Sequence, residues 1–151
     1  MANFANPRKG FNFSIQISPD PINPFMFQKV TLPDVEIEEV AHGDTNHDIK
    51  TGGRVKYGKL SCEKLMPSRQ SDQYINAWMV AVASSIIGGG VPPDVYKKVI
   101  TVTEFAEDGM TPVDVHVYAG CWPSKKNGQE LNRMNSDNSI ESVEFSIDTA
   151  I

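Results

Sequence analysis

The sequence has little of what marks an enzyme, a membrane span or a nucleic-acid clamp, and each shortage narrows its function. Two cysteines are present, Cys62 and Cys121, too far apart for a metal-ligand or redox spacing. They read as buried free thiols, with a disulfide open to a protein that ends up outside the cell. No serine, cysteine or lysine stands in a recognisable nucleophile motif, so no catalytic residue is assigned and no enzyme is expected. No apolar run approaches the ~20 residues of a bilayer span. The longest, Ala77 to Ile87, is interrupted by Ser84 and Ser85. Met1 to Gly10 lacks the apolar core of a secretory signal. The expectation is therefore a protein made in the cytoplasm, without membrane insertion, that leaves in an assembly or through lysis. Positive charge is also scarce: 14 Lys and Arg stand against 19 Asp and Glu, a net charge of −5. The basic pairs Arg8-Lys9, Lys97-Lys98 and Lys125-Lys126 are scattered and read as solvated surface, not as a phosphate clamp. There is no internal repeat and no low-complexity segment.

What is present is alternation. With 151 residues, the chain fits one domain, and 40% apolar residues suffice to fold it without staples. Phe11 to Ile17 alternates at the period of a strand, and Ser18 to Pro24 must be a turn because it holds three prolines. Phe25 to Val40 resumes extended structure with a bend at Pro33-Asp34. Val55 to Met66, Val95 to Phe105, Val113 to Tyr118 and Ile140 to Ile147 read as further strands, with a turn at Asp108-Gly109. Pro123 to Asn138 is a polar excursion anchored by Leu131 and Met134. One helix is expected at about residues 72–87, Asp72 to Ile87, because Tyr74, Trp78, Val82 and Ile86 repeat on one face. Ser68 or Ser71 is placed to cap it, and Gly88-Gly89-Gly90 stops it. Trp78 is its core-facing anchor.

The segment of about 41–54 reads as a long inter-strand loop, rich in Gly, Asp, Asn, His and Thr. Loops of that length in a compact domain are usually functional. Its cluster His42, Asp44, Asn46, His47 and Asp48 offers nitrogen and oxygen donors that a divalent ion could use. The same small polar residues suit a solvated contact loop, and that reading is preferred, so no metal or cofactor is assigned. His116, mid-strand among valines, reads as an exposed strand residue. The triple glycine follows the helix, so helix N–H groups point away from it and it makes a poor phosphate cradle. Glu36/Glu38, Ser61/Glu63, Thr101/Thr103 and Glu144/Ser146/Asp148 form polar faces opposite apolar ones, as in antiparallel sheets with one wet face. One helix cannot cover such a sheet, and its open edges invite pairing with copies of the same chain.

Several segments resemble the tail tube proteins of contractile-tailed bacteriophages, which are related to the inner tubes of contractile injection systems and to the type VI secretion tube. They are Phe27-Gln28-Lys29-Val30, the run Lys50-Thr51-Gly52-Gly53-Arg54-Val55-Lys56-Tyr57-Gly58, Leu60 to Leu65, Ile75-Asn76-Ala77-Trp78, Lys98 to Phe105, Tyr118-Ala119-Gly120-Cys121-Trp122-Pro123-Ser124-Lys125, and Ile140 to Phe145. The resemblance covers nearly the whole chain through the order and spacing of these segments. Ser18 to Pro24 and the triple glycine depart from the pattern. The resemblance implies a mainly β fold, an antiparallel β-sandwich or barrel with one flanking α-helix, in a single domain spanning residues 1–151. It also implies hexameric rings stacked into a tube, with sheath, baseplate and terminator proteins as partners and DNA passing through the lumen without specific binding. On that reading the protein is a virion structural subunit. Glu36, Glu38, Ser61 and Glu63 are candidate lumen residues, and His42, Asp44, Asn46, His47, Asp48 and Arg54 are candidate inter-subunit contacts. The alternatives are an injection-system tube or tube-capping ring, or, in another class, a monomeric β-barrel binding module or metal-dependent enzyme built on the His42–Asp48 segment.

Overall fold

Alternating strands with one apolar side can hide that side only by folding the sheet over itself, and this chain does so. A computed structural model describes residues 12–18, 20, 27–43, 46–65, 74–83, 88–127, 133–134 and 140–151. Leu131, Ser68, Ser71 and Ile86 fall outside them, as does most of the proline-rich turn. The described elements are β1 (Phe13–Ser18), β2 (Phe27–Thr31), β3 (Val35–Gly43), β4 (Asp48–Tyr57), β5 (Leu60–Leu65), α1 (Tyr74–Val82), α2 (Pro93–Tyr96), β6 (Lys98–Phe105), β7 (Pro112–Lys126), β8 (Ile140–Ser146) and β9 (Thr149–Ala150). The fold is mainly β and antiparallel, a sandwich with one substantial helix, as the sequence suggests.

A single path of paired strands runs β1-β6-β7-β8-β5-β2, with β9 beside β7. The fold-over lies in β7. Its first half pairs with β6 and its last residues with β8. Gly120 marks the corner, at φ +68°, in a register shift against Lys98 and Ile100. A side chain there would run into the Asp148 carboxylate, so the bulge needs glycine. The chain crosses back at the same corner after β8, where the Asp148 N–H donates to Ala119 O at 3.1 Å. Between the layers lie Ile15, Ile17, Leu60, Cys62, Ile100, Val102, Tyr118, Cys121, Val143 and Phe145, all buried.

Helix α1 closes one side of the core with Ile75 and Trp78. Trp78 is 3% exposed, its ring lies 5.5 Å from that of Phe145, and its indole N–H donates to Tyr96 O at 2.7 Å. The helix is assigned over Tyr74–Val82, shorter than the expected 72–87; residues 72, 73 and 84–87 lie outside the described set. Ala83 is already non-helical, and the Ala81 carbonyl accepts from the Val91 N–H at 2.9 Å. Gly90 then packs on the Val82 carbonyl too closely for any side chain.

Three expected boundaries move for identifiable reasons. The strand expected from Val95 starts at Lys98, because Pro93 opens the one-turn helix α2, where a missing N–H costs nothing and φ is pre-set. The polar excursion expected from Pro123 begins later: β7 continues to Lys126 with Pro123 buried inside it. A register shift between Pro123 and Lys125 absorbs the missing donor. Met134, expected as an apolar anchor, is exposed.

The largest correction concerns the long loop expected at 41–54. Most of that segment is paired strand, the distal part of a two-stranded ribbon formed by β3 and β4. Its backbone N–H and C=O groups satisfy one another across the ladder, so no loop is needed beyond the few residues between Gly43 and Asp48. The strand expected over Val55 to Met66 is accordingly two strands, broken at Gly58-Lys59 where the chain leaves the ribbon for the sandwich. The Gly58 N–H donates to Asp34 O at 2.8 Å, and a side chain at Gly58 would crowd the Asp34 backbone.

Candidate functional site

Two surfaces hold the candidate residues: the ribbon and the polar face of the sheet beside it. On the sheet, β5 pairs with β2 on one side and β8 on the other, with Lys29 opposite Glu63, Thr31 opposite Ser61, and both β5 residues opposite Ser142 and Glu144. Alternation then places Lys29, Thr31, Ser61, Glu63, Ser142 and Glu144 on the side away from buried Cys62 and Val143. These residues line a shallow depression. Lys59 lies 3.9 Å from Glu144, so the face mixes both signs.

The ribbon continues the β2–β5 hairpin in one register, since Thr31 pairs with Ser61 and Val35 with Tyr57, three residues intervening on each strand. Within the ribbon, Val35, Ile37, Val55 and Tyr57 share one side, and Tyr57 packs against the core. Glu36 and Glu38 take the opposite side.

Near the base of the ribbon, Ile37 pairs with Val55, and both side chains lie open to solvent, at 58% and 49% exposure. Lys56 lies opposite Glu36 and 3.4 Å from Glu38 on the reverse side. A bulge between Ile37 and Glu39 sets two residues of β4, Gly53 and Arg54, against Glu38 alone. Beyond it the sides exchange character: Lys50 and Glu39 approach within 3.5 Å on the first, while Val40 and Ile49 are exposed on the second. Gly53 passes so close to Glu38 O and Val40 that an added Cβ would meet both at 3.0 Å. Exposed pairs such as Lys56–Glu38 are worth ~1 kcal/mol or less, so they set orientation more than stability.

His42 and Asp48 flank the tip, with His42 opposite Ile49 and Asp48 opposite Gly43, so parity turns them to different sides. Asn46 and His47 lie in the bend between the strands, and Asp44 falls outside the described residues. Among its described residues the ribbon cluster does not converge. Among the described residues, the convergent group of potential metal ligands is Glu104, Asp114 and His116; His116, expected as an exposed strand residue, is half-buried. Adjacency across β6 and β7 makes the group, and sequence separation concealed it.

The cysteines offer no chemistry at neutral pH. Both are free and buried, and burial pushes the Cys62 thiol to about 12 and the Cys121 thiol to about 11. Lys98 is committed as well, ion-paired to Asp20 and with its ammonium 4.8 Å from the Trp78 ring centroid. Among the described residues no helix is long and apolar enough to cross a membrane.

The sequence matches the T4-like virus tail tube protein gp19 family over residues 9–150. No curated protein sequence matches it. The fold is shared with solved structures at low identity. A chain of the sheath–tube complex of an extracellular contractile injection system in the extended state has a TM-score of 0.78 at 14% identity, covering 96% of this chain and 90% of that one. The anti-feeding prophage tube-terminating cap gives 0.79 at 13%, covering 100% and 97%. A type six secretion system protein gives 0.54 at 9%, covering 91% and 80%.

Proposed function

The chain belongs to the T4-like virus tail tube protein family, and from that premise we propose that it is the repeating subunit of a phage tail tube. Six copies close into a ring, rings stack, and the lumen conducts DNA during ejection without gripping it. The tube lies within a sheath, ends at a terminator and a baseplate, and is carried in the virion after synthesis in the host cytoplasm.

The observation that carries this reading is the ribbon. It is an extended pair of strands that exposes Val35, Ile37, Val40, Ile49 and Val55 and makes no extensive contact with another element among the described residues. An isolated two-stranded ribbon is at best marginally stable in water. A neighbouring copy supplies the missing cover; His42, Asn46, His47, Asp48 and Arg54 sit where that contact forms, and Asp44 is assigned to it from the sequence. Glu36 and Glu38, on the other side of the ribbon from Val35 and Ile37, face the channel. The open edges of β1 and β2, the two ends of the strand path, close against adjacent copies. Ser61 and Glu63 line the channel, on a face whose mixed charges give a passing duplex no continuous basic track.

Electron microscopy of purified protein across a concentration series tests the reading. Six-fold rings or tubes are expected; a monomer at every concentration and salt sinks it. The similarity to a tube-terminating cap favours one second reading, a capping ring, which forms single rings and never tubes.

A further inference from the structure

Along the first half of β7 the alternation is inverted. Val113 and Val115 are about half exposed, while Asp114 and His116 turn to the side that carries buried Tyr118. On β6 the same side carries buried Val102, opposite His116, and Glu104, opposite Asp114. A one-residue slip would bury the valines instead. The register held here draws two carboxylates and an imidazole together at the margin of the core.

We propose that Glu104, Asp114 and His116 form a binding site for a divalent transition-metal ion, with zinc the best match. His116 Nε2 lies 2.9 Å from Glu104 Oε2 and 3.6 Å from Asp114 Oδ2. Donors bound at ~2.0–2.1 Å around a tetrahedral zinc ion stand roughly 3.3 Å apart, so these spacings already approximate the edges of a coordination shell. The donor chemistry agrees: a neutral imidazole suits zinc, and two carboxylates balance its double charge. A separate contact orients the set. Asp114 Oδ1 accepts the Val115 N–H at 2.9 Å, which leaves Oδ2 directed at the imidazole, in the way outer hydrogen bonds fix metal-bound carboxylates. Phe13, opposite Glu104 on β1 and half-buried, adds an apolar wall that restricts water. Three protein donors leave a fourth position for water, and the ion ties β6 to β7 close to the Asp108-Gly109 turn.

The test uses the full-length protein stripped with a chelator, titrated with Zn²⁺ by calorimetry and with Co²⁺ by visible absorption. One saturable equivalent per chain and a raised melting temperature are expected. His116→Ala should weaken binding by more than ~10-fold. The near-isosteric pair Glu104→Gln with Asp114→Asn should abolish binding while leaving the metal-free circular dichroism spectrum unchanged. His42→Ala with His47→Ala, which removes the ribbon histidines, should bind as the parent does. Absence of saturable binding overturns the proposal, as does binding that follows His42 and His47 and not His116. Ring or tube formation by the metal-free protein bears on the assembly reading alone.

Discussion

The sandwich and the ribbon are two halves of one hairpin, yet only one half supplies its own burial. In the sandwich half, Phe27, Leu60 and Cys62 turn toward a second layer and α1, and they are buried. In the ribbon half the adjoining strands β3 and β4 carry Val35, Ile37, Val40, Ile49 and Val55 into solvent. Composition does not separate the halves, since both are rich in residues that favour strands. What separates them is whether the chain folds another layer against them. A strand pair with apolar residues on both sides and no covering layer among the described residues is the part of the chain that a neighbouring copy would complete in the proposed tube.

The comparison breaks most severely at Trp78. Its ring joins α1 to the core through Phe145, and its indole N–H holds Tyr96 O. Trp78→Ala leaves a cavity and an unpaired carbonyl, and should cost about 3–5 kcal/mol. Chemical denaturation of the unassembled protein reads that loss. Stability close to that of the parent would mean that α1 is not what seals the sandwich.

A smaller effect is expected at Asp20. Its carboxylate accepts from the Tyr74 hydroxyl at 2.6 Å and pairs with Lys98, linking the segment after β1 to α1 and β6. The Lys98 ammonium first, and the Tyr74 hydroxyl second, hold this carboxyl below its usual range. A depressed carboxyl contributes stability above its unfolded-state value of ~4 and loses it as pH falls through the lower folded-state value. Asp20→Asn should therefore cost about 1 kcal/mol at pH 7. Melting curves of parent and variant should converge as the pH falls below ~3. A gap that stays constant with pH would show that the contact acts through shape and not charge.

Strands with one wet face were legible in the sequence. β1 and β6 alternate cleanly, and the structure buries the apolar side of each; in β8 it buries Val143 and Phe145, although Glu141 shares their side and Ile140 is exposed. The base of the ribbon, Val35 to Val40 and Val55 to Tyr57, was legible as extended chain, but its distal part at 41–54 was hidden because its Gly, Asp, Asn, His and Thr carry no strand period. Glycines at 52 and 53 further suggested a loop, although they serve a bulge and a close crossing. Pro123 looked like the end of a strand because its accommodating bulge is a property of the β7–β8 pairing. Glu104 and His116 are twelve residues apart, and only the β6–β7 register makes them neighbours. Local periodicity thus conveyed which residues face a core, while the pairing of distant strands, which decides what meets at a site, was not written in any one segment.

The smallest effect on the single chain should accompany the largest effect on assembly, at Ile37. This side chain is exposed, is paired with Val55, and lies near the base of the ribbon. Replacing an exposed residue outside the core changes stability by no more than ~0.5 kcal/mol, so Ile37→Asp should leave the denaturation midpoint of the monomer unchanged. In an interface the same aspartate must be desolvated against an apolar neighbour, which costs several kcal/mol for an unpaired charge and prevents association. The variant should therefore remain a folded monomer at concentrations where the parent forms rings or tubes. Hydrogen exchange adds a second reading: amides of β3 and β4 should exchange rapidly in the monomer and slow markedly in the parent assembly. Normal tubes from Ile37→Asp would show that this side of the ribbon meets solvent in the assembly. Equal exchange in both states would remove the ribbon from the interface altogether.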